Sequence, residues 1–262
     1  MKKITILLLI FCFSFLPPAP AEVNFSSVSG LAKLAPEKPL PWPAVGESLI
    51  FDVSWMGIPV GTGTLFVKEK VRLRGHQAYH VIAVAQTNNF LSKIYPVRDE
   101  IHSFIDAEKF HSLEFSKKLK EGRYRADERV IYDHAAKKGF YESFHNKSKK
   151  EFEIPYGVHD LVSVFYWFRT QQVPVGQSAK AVVNSEEQNW DFEAKVLKRE
   201  TKELRNYGTV DALLVEPRTR LKGALYKRGR ALVYFATDEK RTPVVISLQT
   251  PFGAVVGVLR AH

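Results

Sequence analysis

The side chains able to do chemistry in this chain are a few carboxylates, a scatter of histidines and a set of aromatics in alternating segments. Asp99 and Glu100, preceded by Arg98, stand near the start of one such segment, and Asp238 and Arg241 flank a turn further on. Two carboxylates a few ångströms apart are what a glycosidase needs, one as acid and one as base or nucleophile, so Asp99, Glu100 and Asp238 are the catalytic candidates. The competing reading is that charged groups at strand ends and turns are solvated or ion-paired. His159-Asp160 also invites an acid–base role, yet an aspartate directly before a dense apolar run is what caps a helix by accepting from its first amides. The other histidines, such as His76, His80, His102, His111 and His134, lack paired ligand spacing, and no metal is expected.

Several chemistries are closed off by their missing motifs. The chain has no Gly-x-Ser-x-Gly elbow, no His-Glu-x-x-His, no phosphate-binding Gly-x-x-x-x-Gly-Lys and no dinucleotide fingerprint, so no cofactor is expected. Gly57, Gly61 and Gly63 are the nearest thing to a glycine-rich loop. They lie between two alternating segments rather than before a helix, which predicts a tight turn and a close backbone approach instead of a phosphate cradle.

The elements that must position these residues read almost entirely as strands. Leu49, Phe51, Val53 and Trp55 recur with period two, Met56–Gly61 reads as a turn, and residues 62–68 alternate again, making a hairpin. The same pattern returns over 79–85, 97–105, 113–119, 124–132 and 138–144, and then over 178–184, 190–200, 207–217, 229–236, 243–249 and 254–260. A short helix is expected within 88–95. Between the two series, Asp160 precedes a run from Leu161 to Phe168 too apolar for a surface helix, predicting one buried helix that ends near Gln172, ahead of Pro174. The fold class is therefore mainly β, a large antiparallel curved sheet or barrel with one buried helix near residues 160–172. Residues 46–262 form one β-rich domain in this reading, with two related sheets split near 158–176 as the alternative.

Compartment follows from the first residues. Lys2 and Lys3, the apolar run Ile4–Leu16 and small residues at Ala19 and Ala21 make the pattern of a signal peptide over 1–21, cut after Ala21, with a proline-rich lead-in over 22–45. Cleavage removes Cys12, the one cysteine, and with it any disulfide, thiolate nucleophile or cysteine metal site. No later apolar stretch is long enough for a transmembrane helix. The expected location is periplasmic or secreted. A composition 45% hydrophobic and 25% charged is that of a globular protein and excludes a disordered chain. The net charge of +10 gathers in basic clusters that include Arg218 and Arg220. In an exported protein such clusters meet anionic lipids and wall polymers rather than nucleic acid.

A family resemblance rests on an ordered series of residues. Gly46-Glu47-x-Leu49-x-Phe51-x-Val53-x-Trp55-x-Gly57-Ile58-x-Val60-Gly61, then Tyr95 and Asp99-Glu100, Asp160-Leu161-x-Ser163, Thr237-Asp238-x-x-Arg241-x-Pro243-Val244, Phe252-Gly253 and Leu259 follow one another along the chain. Over about residues 46–260 the sequence resembles the exported bacterial domain-of-unknown-function family numbered 3108. The resemblance implies a mostly β cell-envelope protein and carries over no catalytic residue.

These readings converge on a non-enzymatic binding module for an apolar or amphipathic anionic envelope molecule, a lipid or lipopolysaccharide-like ligand. Its concave face is expected to be lined by Phe51, Trp55, Phe66, Tyr79, Phe104 and Tyr234, with Arg218 and Arg220 at the rim. The alternatives are a carboxylate-dependent wall-glycan hydrolase and an envelope assembly factor that pairs a strand with a protein partner.

Overall fold

The computed structural model describes residues 44–204, 207–221, 224–225 and 229–260. The signal-peptide segment 1–21, most of the lead-in, and Lys222, Lys227 and Arg228 lie outside the described residues.

The first half of the chain is a meander of eight strands: β1 (Ser48–Trp55), β2 (Ile58–Leu73), β3 (His76–Thr87), β4 (Arg98–Asp106), β5 (Ser112–Glu121), β6 (Tyr124–Asp133), β7 (Lys138–Ser143) and β8 (Ser148–Glu153). A helix, α1 (Leu161–Thr170), follows, and then β9 (Ser178–Ser185), β10 (Gln188–Leu204), β11 (Gly208–Leu221), the two-residue β12 (Ala224–Leu225), β13 (Arg230–Ala236), β14 (Pro243–Thr250) and β15 (Gly253–Leu259). All pair antiparallel in one curved sheet, in the order β8 to β1, then β15 back to β9, with β12 beside β11. The halves are sewn together where β1 pairs with β15, Phe51 opposite Leu259 and Trp55 opposite Val255.

The alternation read from the sequence becomes two faces. Leu49, Phe51, Val53, Leu65, Val67, Val81 and Ile105 are buried on the inner face, together with Val215, Val233 and Val255 from the second half. Removing a side chain of this kind from water is worth about 1.5–3 kcal/mol, and the shared inner face is the source of the sheet's stability.

α1 lies against that inner face, with Phe165 and Phe168 packed on Phe235 at ring distances of 5.5 and 5.1 Å. Asp160 caps it: its Oδ1 accepts from the amides of Val162 and Ser163, and the Ser163 hydroxyl closes a capping box with the Asp160 amide. The other carboxylate oxygen accepts from Ser103 and Ser112, so the cap also pins the helix to β4 and β5. At the far end Arg169, buried, grips Glu47 through both oxygens, at 2.6 and 2.9 Å, and the Lys240 carbonyl. The helix stops two residues before the expected Gln172 because Gln171 is already extended, ahead of Pro174.

Three local differences from the sequence reading have physical causes. The turn after β1 is Met56-Gly57 alone, and pairing extends β2 back to Ile58. Within it Gly61 meets a close backbone approach as expected, since a Cβ there would lie 2.0 Å from the Gln86 carbonyl oxygen. The helix of 88–95 is a single 3-10 turn, Leu91–Lys93, begun by the Asn88 side chain accepting from the Leu91 amide. β8 carries no alternating apolar signal because Lys149, Lys150 and Glu151 face water; pairing with β7 creates it. Charges on such an edge strand discourage further pairing.

The sheet has two edges, β8 and β9, and a crossing strap draws them together. Leaving β8, the chain passes Val158, whose carbonyl accepts from the Ser112 amide of β5, and His159, which forms a parallel bridge with Val183 of β9. Lys150 of β8 reaches Glu187 at 2.6 Å, and the Asn189 side chain donates to the Glu153 carbonyl at 2.7 Å.

Candidate functional site

The three carboxylate candidates are not assembled into a pair. Asp99 points to the inner face and is 1% exposed. Glu100, its neighbour on β4, necessarily faces outward, where it bonds His102 at 2.8 Å. Asp238 holds the turn into β14, accepting from the amide and hydroxyl of Thr242.

Asp99 has a different acidic companion. Val97, just ahead of β4, is bridged to Glu121 at the end of β5, and the Lys120 amide donates to Asp99 Oδ1 at 2.7 Å. Asp99 Oδ2 is buried without a hydrogen-bond partner. Burial, partly offset by the Lys120 amide, pushes the Asp99 carboxyl up to about 6. Burial and the Asp99 charge together push Glu121 up to about 7. Tyr95 leans over the pair, and burial followed by these two charges raises its hydroxyl. The ring needs Gly122, where φ is +51° and a Cβ would come within 2.7 Å of it. Period two from Leu119 already places Glu121 inward, but a charged residue at a turn reads as solvated. With Glu121 3% exposed, the pair is shut away from any polymer substrate.

The six aromatics divide between the two faces, because residues opposite one another on neighbouring strands share a side. Phe51 and Tyr79 are inner core, 1% and 8% exposed, and Trp55 ends the inner row with its indole N–H donating to the Phe252 carbonyl. Phe66, flanked by buried Leu65 and Val67, faces outward. Phe104 also faces outward, stacked on His80 at 4.4 Å, and so does Tyr234, whose hydroxyl donates to Glu200. Arg218 and Arg220 are on the outer face too. Arg218 bonds Glu216, which also takes Arg230, and Arg220 stands 3.9 Å from Glu193. These side chains do not converge on one concave surface.

What the inner face does form is a small cleft at the seam, open to solvent, with a cavity volume of about 30 Å³. Its apolar wall is Phe115, Val130, Tyr132 and Tyr141 from β5–β7, with Leu161 of α1. Its polar wall is Lys117 and Glu128 on that side and Asn184, Ser185, Glu186 and Glu187 at the β9–β10 turn. Lys117 and Glu128 pair at 3.0 Å, both side chains 17% exposed. Burial and the Glu128 charge push the Tyr141 hydroxyl up to about 12. Tyr132 reaches across the seam to Asn184. The two-residue turn Glu186-Glu187 has positive φ at both positions, 53° and 59°, a geometry that hairpins usually fill with Asn or Gly. Sequence reasoning missed this site because its walls come from opposite ends of the sheet order, and alternation alone does not bring them together.

Buried and half-buried histidines gather at the strap. His134, in the turn after β6, donates from Nε2 to the Ser112 carbonyl of β5 and accepts the Gly157 amide at Nδ1, which ties the strap to that turn and to β5. His111 stacks on it at 3.7 Å. Burial first, then neighbouring histidines, hold His111 at about 4 and His159 at about 3. Among the described residues no group of three or more histidine, cysteine, aspartate or glutamate side chains could hold a metal ion. Nor is any described helix long and apolar enough to cross a membrane.

A family profile described as a protein of unknown function, DUF3108, matches residues 50–260. The chain belongs to DUF3108. No curated protein matches it. Among solved structures, it is similar to a β-barrel-like protein of the unknown-function family DUF1849 from Brucella abortus. That match has 10% identity and TM-score 0.57, over 84% of this chain and 97% of the other. At this identity the likeness shows the fold, a barrel-like β sheet, and agrees with the architecture of the DUF3108 chain. Two further matches, each at 10% identity, are a protein from Parabacteroides distasonis provisionally classed as a lipoprotein and a provisionally exported protein with a YmcC-like fold from Bacteroides fragilis. The first has TM-score 0.33 over 84% of this chain and 95% of its own, the second 0.31 over 85% and 98%.

Proposed function

We propose that the protein is a non-enzymatic binding module of the cell envelope that lays the apolar part of an amphipathic molecule against the open seam cleft. The observation that carries this reading is the cleft itself: an aromatic and aliphatic wall on the inner face, a few polar groups at one side, and an opening where the sheet fails to close. Concave, mostly apolar sites with a few convergent polar groups are the usual form of small-molecule sites. The envelope location rests on the signal-peptide pattern of residues 1–21, read from the sequence. Arg218 and Arg220, already paired to carboxylates on the outer face, are not part of this site.

Native mass spectrometry on the protein purified from an exporting host, followed by solvent extraction, tests the proposal. A co-purifying amphiphile near one per chain is expected. A clean mass with no uptake on incubation with envelope lipids overturns it.

A further inference from the structure

We infer that one end of the sheet is a docking surface for an anionic lipid leaflet, a site separate from the seam cleft. β1, β3 and β14 run toward this end and β2, β4 and β15 leave it, six consecutive strands in the sheet order. Their connections are the Met56-Gly57 turn, residues 88–97 and residues 251–252. The most exposed large apolar side chains among the described residues all stand there: Met56, Ile58, Phe90, Ile94 and Phe252, between 62% and 73% exposed. Tyr156, on the strap, follows at 58%. Apolar residues scattered singly over a surface are ordinary, whereas such a gathering marks an interaction site. Hydrogen bonds hold the three connections as one surface. The Met56 amide donates to the Ala254 carbonyl at 2.9 Å and the Trp55 indole N–H to the Phe252 carbonyl at 3.1 Å. On the other side, the Asn88 side chain donates to the Pro59 carbonyl at 2.8 Å and its backbone amide to that of Val60 at 2.9 Å.

The charge beside this patch selects its partner. Lys93 lies within it, and Arg98, Lys120 and Arg123 stand beside it on β4, β5 and the turn after β5, all exposed and none ion-paired among the described residues. Alternation sends these strand bases outward and the carboxylates between them inward, where Asp99 and Glu121 are buried. Glu100, which does face outward, bonds His102. Glu186 and Glu187 share this end but lie at the β9–β10 turn beside the seam, far away in the sheet order. Apolar tips that enter the boundary between headgroups and acyl chains, with bases beside them at the level of the phosphates, are how a protein settles on an anionic membrane surface.

The test uses the chain from residue 22 with vesicles of phosphatidylcholine containing about 30% phosphatidylglycerol, against vesicles of phosphatidylcholine alone. Cosedimentation is expected to show binding to the anionic vesicles about tenfold or more tighter than to the neutral ones. Phe90→Ser combined with Ile94→Ser should weaken it about tenfold or more, and because both positions are exposed the thermal melt should stay where it is. Cys12 is the one cysteine and precedes residue 22, so Phe90→Cys and Tyr207→Cys each accept a single environment-sensitive fluorophore. Tyr207 lies between β10 and β11, at the opposite end of the sheet. Anionic vesicles should shift the label at 90 to the blue and leave the label at 207 unchanged. Equal shifts at both show a cationic protein adsorbing without orientation and overturn the proposal, as do an absence of vesicle binding and binding that the serine variant retains. A dimer in light scattering that the serine variant dissolves assigns the surface to a second copy of the chain and overturns the lipid reading.

Discussion

Replacing Asp99 by asparagine is expected to stabilise this protein at pH 8, and by about half as much at pH 5. Asp99 is 1% exposed, and burial lifts its carboxyl from 3.8 to about 6. At 1.36 kcal/mol per pKa unit, ionising it in the folded state costs about 3 kcal/mol relative to the unfolded chain. The sign follows from linkage. A carboxyl whose folded value lies above its unfolded one favours the fold fully below about pH 4, and that contribution is lost as the pH rises through about 6. Glu121, lifted from 4.5 to about 7, acts in the same direction over a slightly higher window.

The buried histidines oppose this in the wild type. His111 and His159, held near 4 and 3, contribute stability above their ordinary value of 6.5 that disappears as the pH falls. The wild-type profile therefore mixes both trends, while the difference between wild type and Asp99→Asn cancels the histidines. Asparagine keeps the acceptor for the Lys120 amide and carries no charge at any pH, so the variant's advantage should grow from about 1.5 kcal/mol at pH 5 to about 3 kcal/mol at pH 8. Urea unfolding followed by tryptophan fluorescence at four pH values between 5 and 8 measures it. An advantage that does not grow with pH, or a variant less stable than wild type at pH 8, refutes the reasoning.

Other substitutions separate the remaining contributions. Arg169→Ala strands Glu47 and should cost about 3–5 kcal/mol in the same unfolding assay, the penalty of breaking a buried ion pair. Asp160→Ala removes the cap, orphans the Ser103 hydroxyl and takes one of the partners of the Ser112 hydroxyl, so a loss of about 2–4 kcal/mol is expected, with Asp160→Asn intermediate. Gly61→Ala drives a methyl against the Gln86 carbonyl and should cost several times the roughly 1 kcal/mol expected for Gly57→Ala, where φ is positive but the space is open; thermal melts of the two compare them directly.

How much was legible in advance differs by element. Leu49, Phe51 and Val53 were readable as one buried row, and Asp160 as a helix cap, because both signals are local: a period of two, and an acceptor placed before an apolar run. β8 was not readable, since Lys149 and Lys150 carry no burial signal and only the backbone pairing with β7 makes that segment a strand. The seam cleft was not legible, and the carboxylates were legible only in part. Asp99 stood out as a carboxylate near a strand start, but its partner proved to be Glu121, from the next hairpin, rather than Glu100 or Asp238.

By itself the sequence determined a mainly β chain with one capped, buried helix, membership signals of a family without an assigned activity, and the absence of cysteine beyond the leader-like segment. Tertiary structure alone decided which of two alternating faces turned inward, and so parted Phe51 and Tyr79 from Phe66, Phe104 and Tyr234. It alone brought β6 and β7 to the β9–β10 turn across the seam. Alternation labels two faces without naming them, and a cleft between strands more than 40 residues apart depends on how the whole sheet curls and on the strap that draws its edges together.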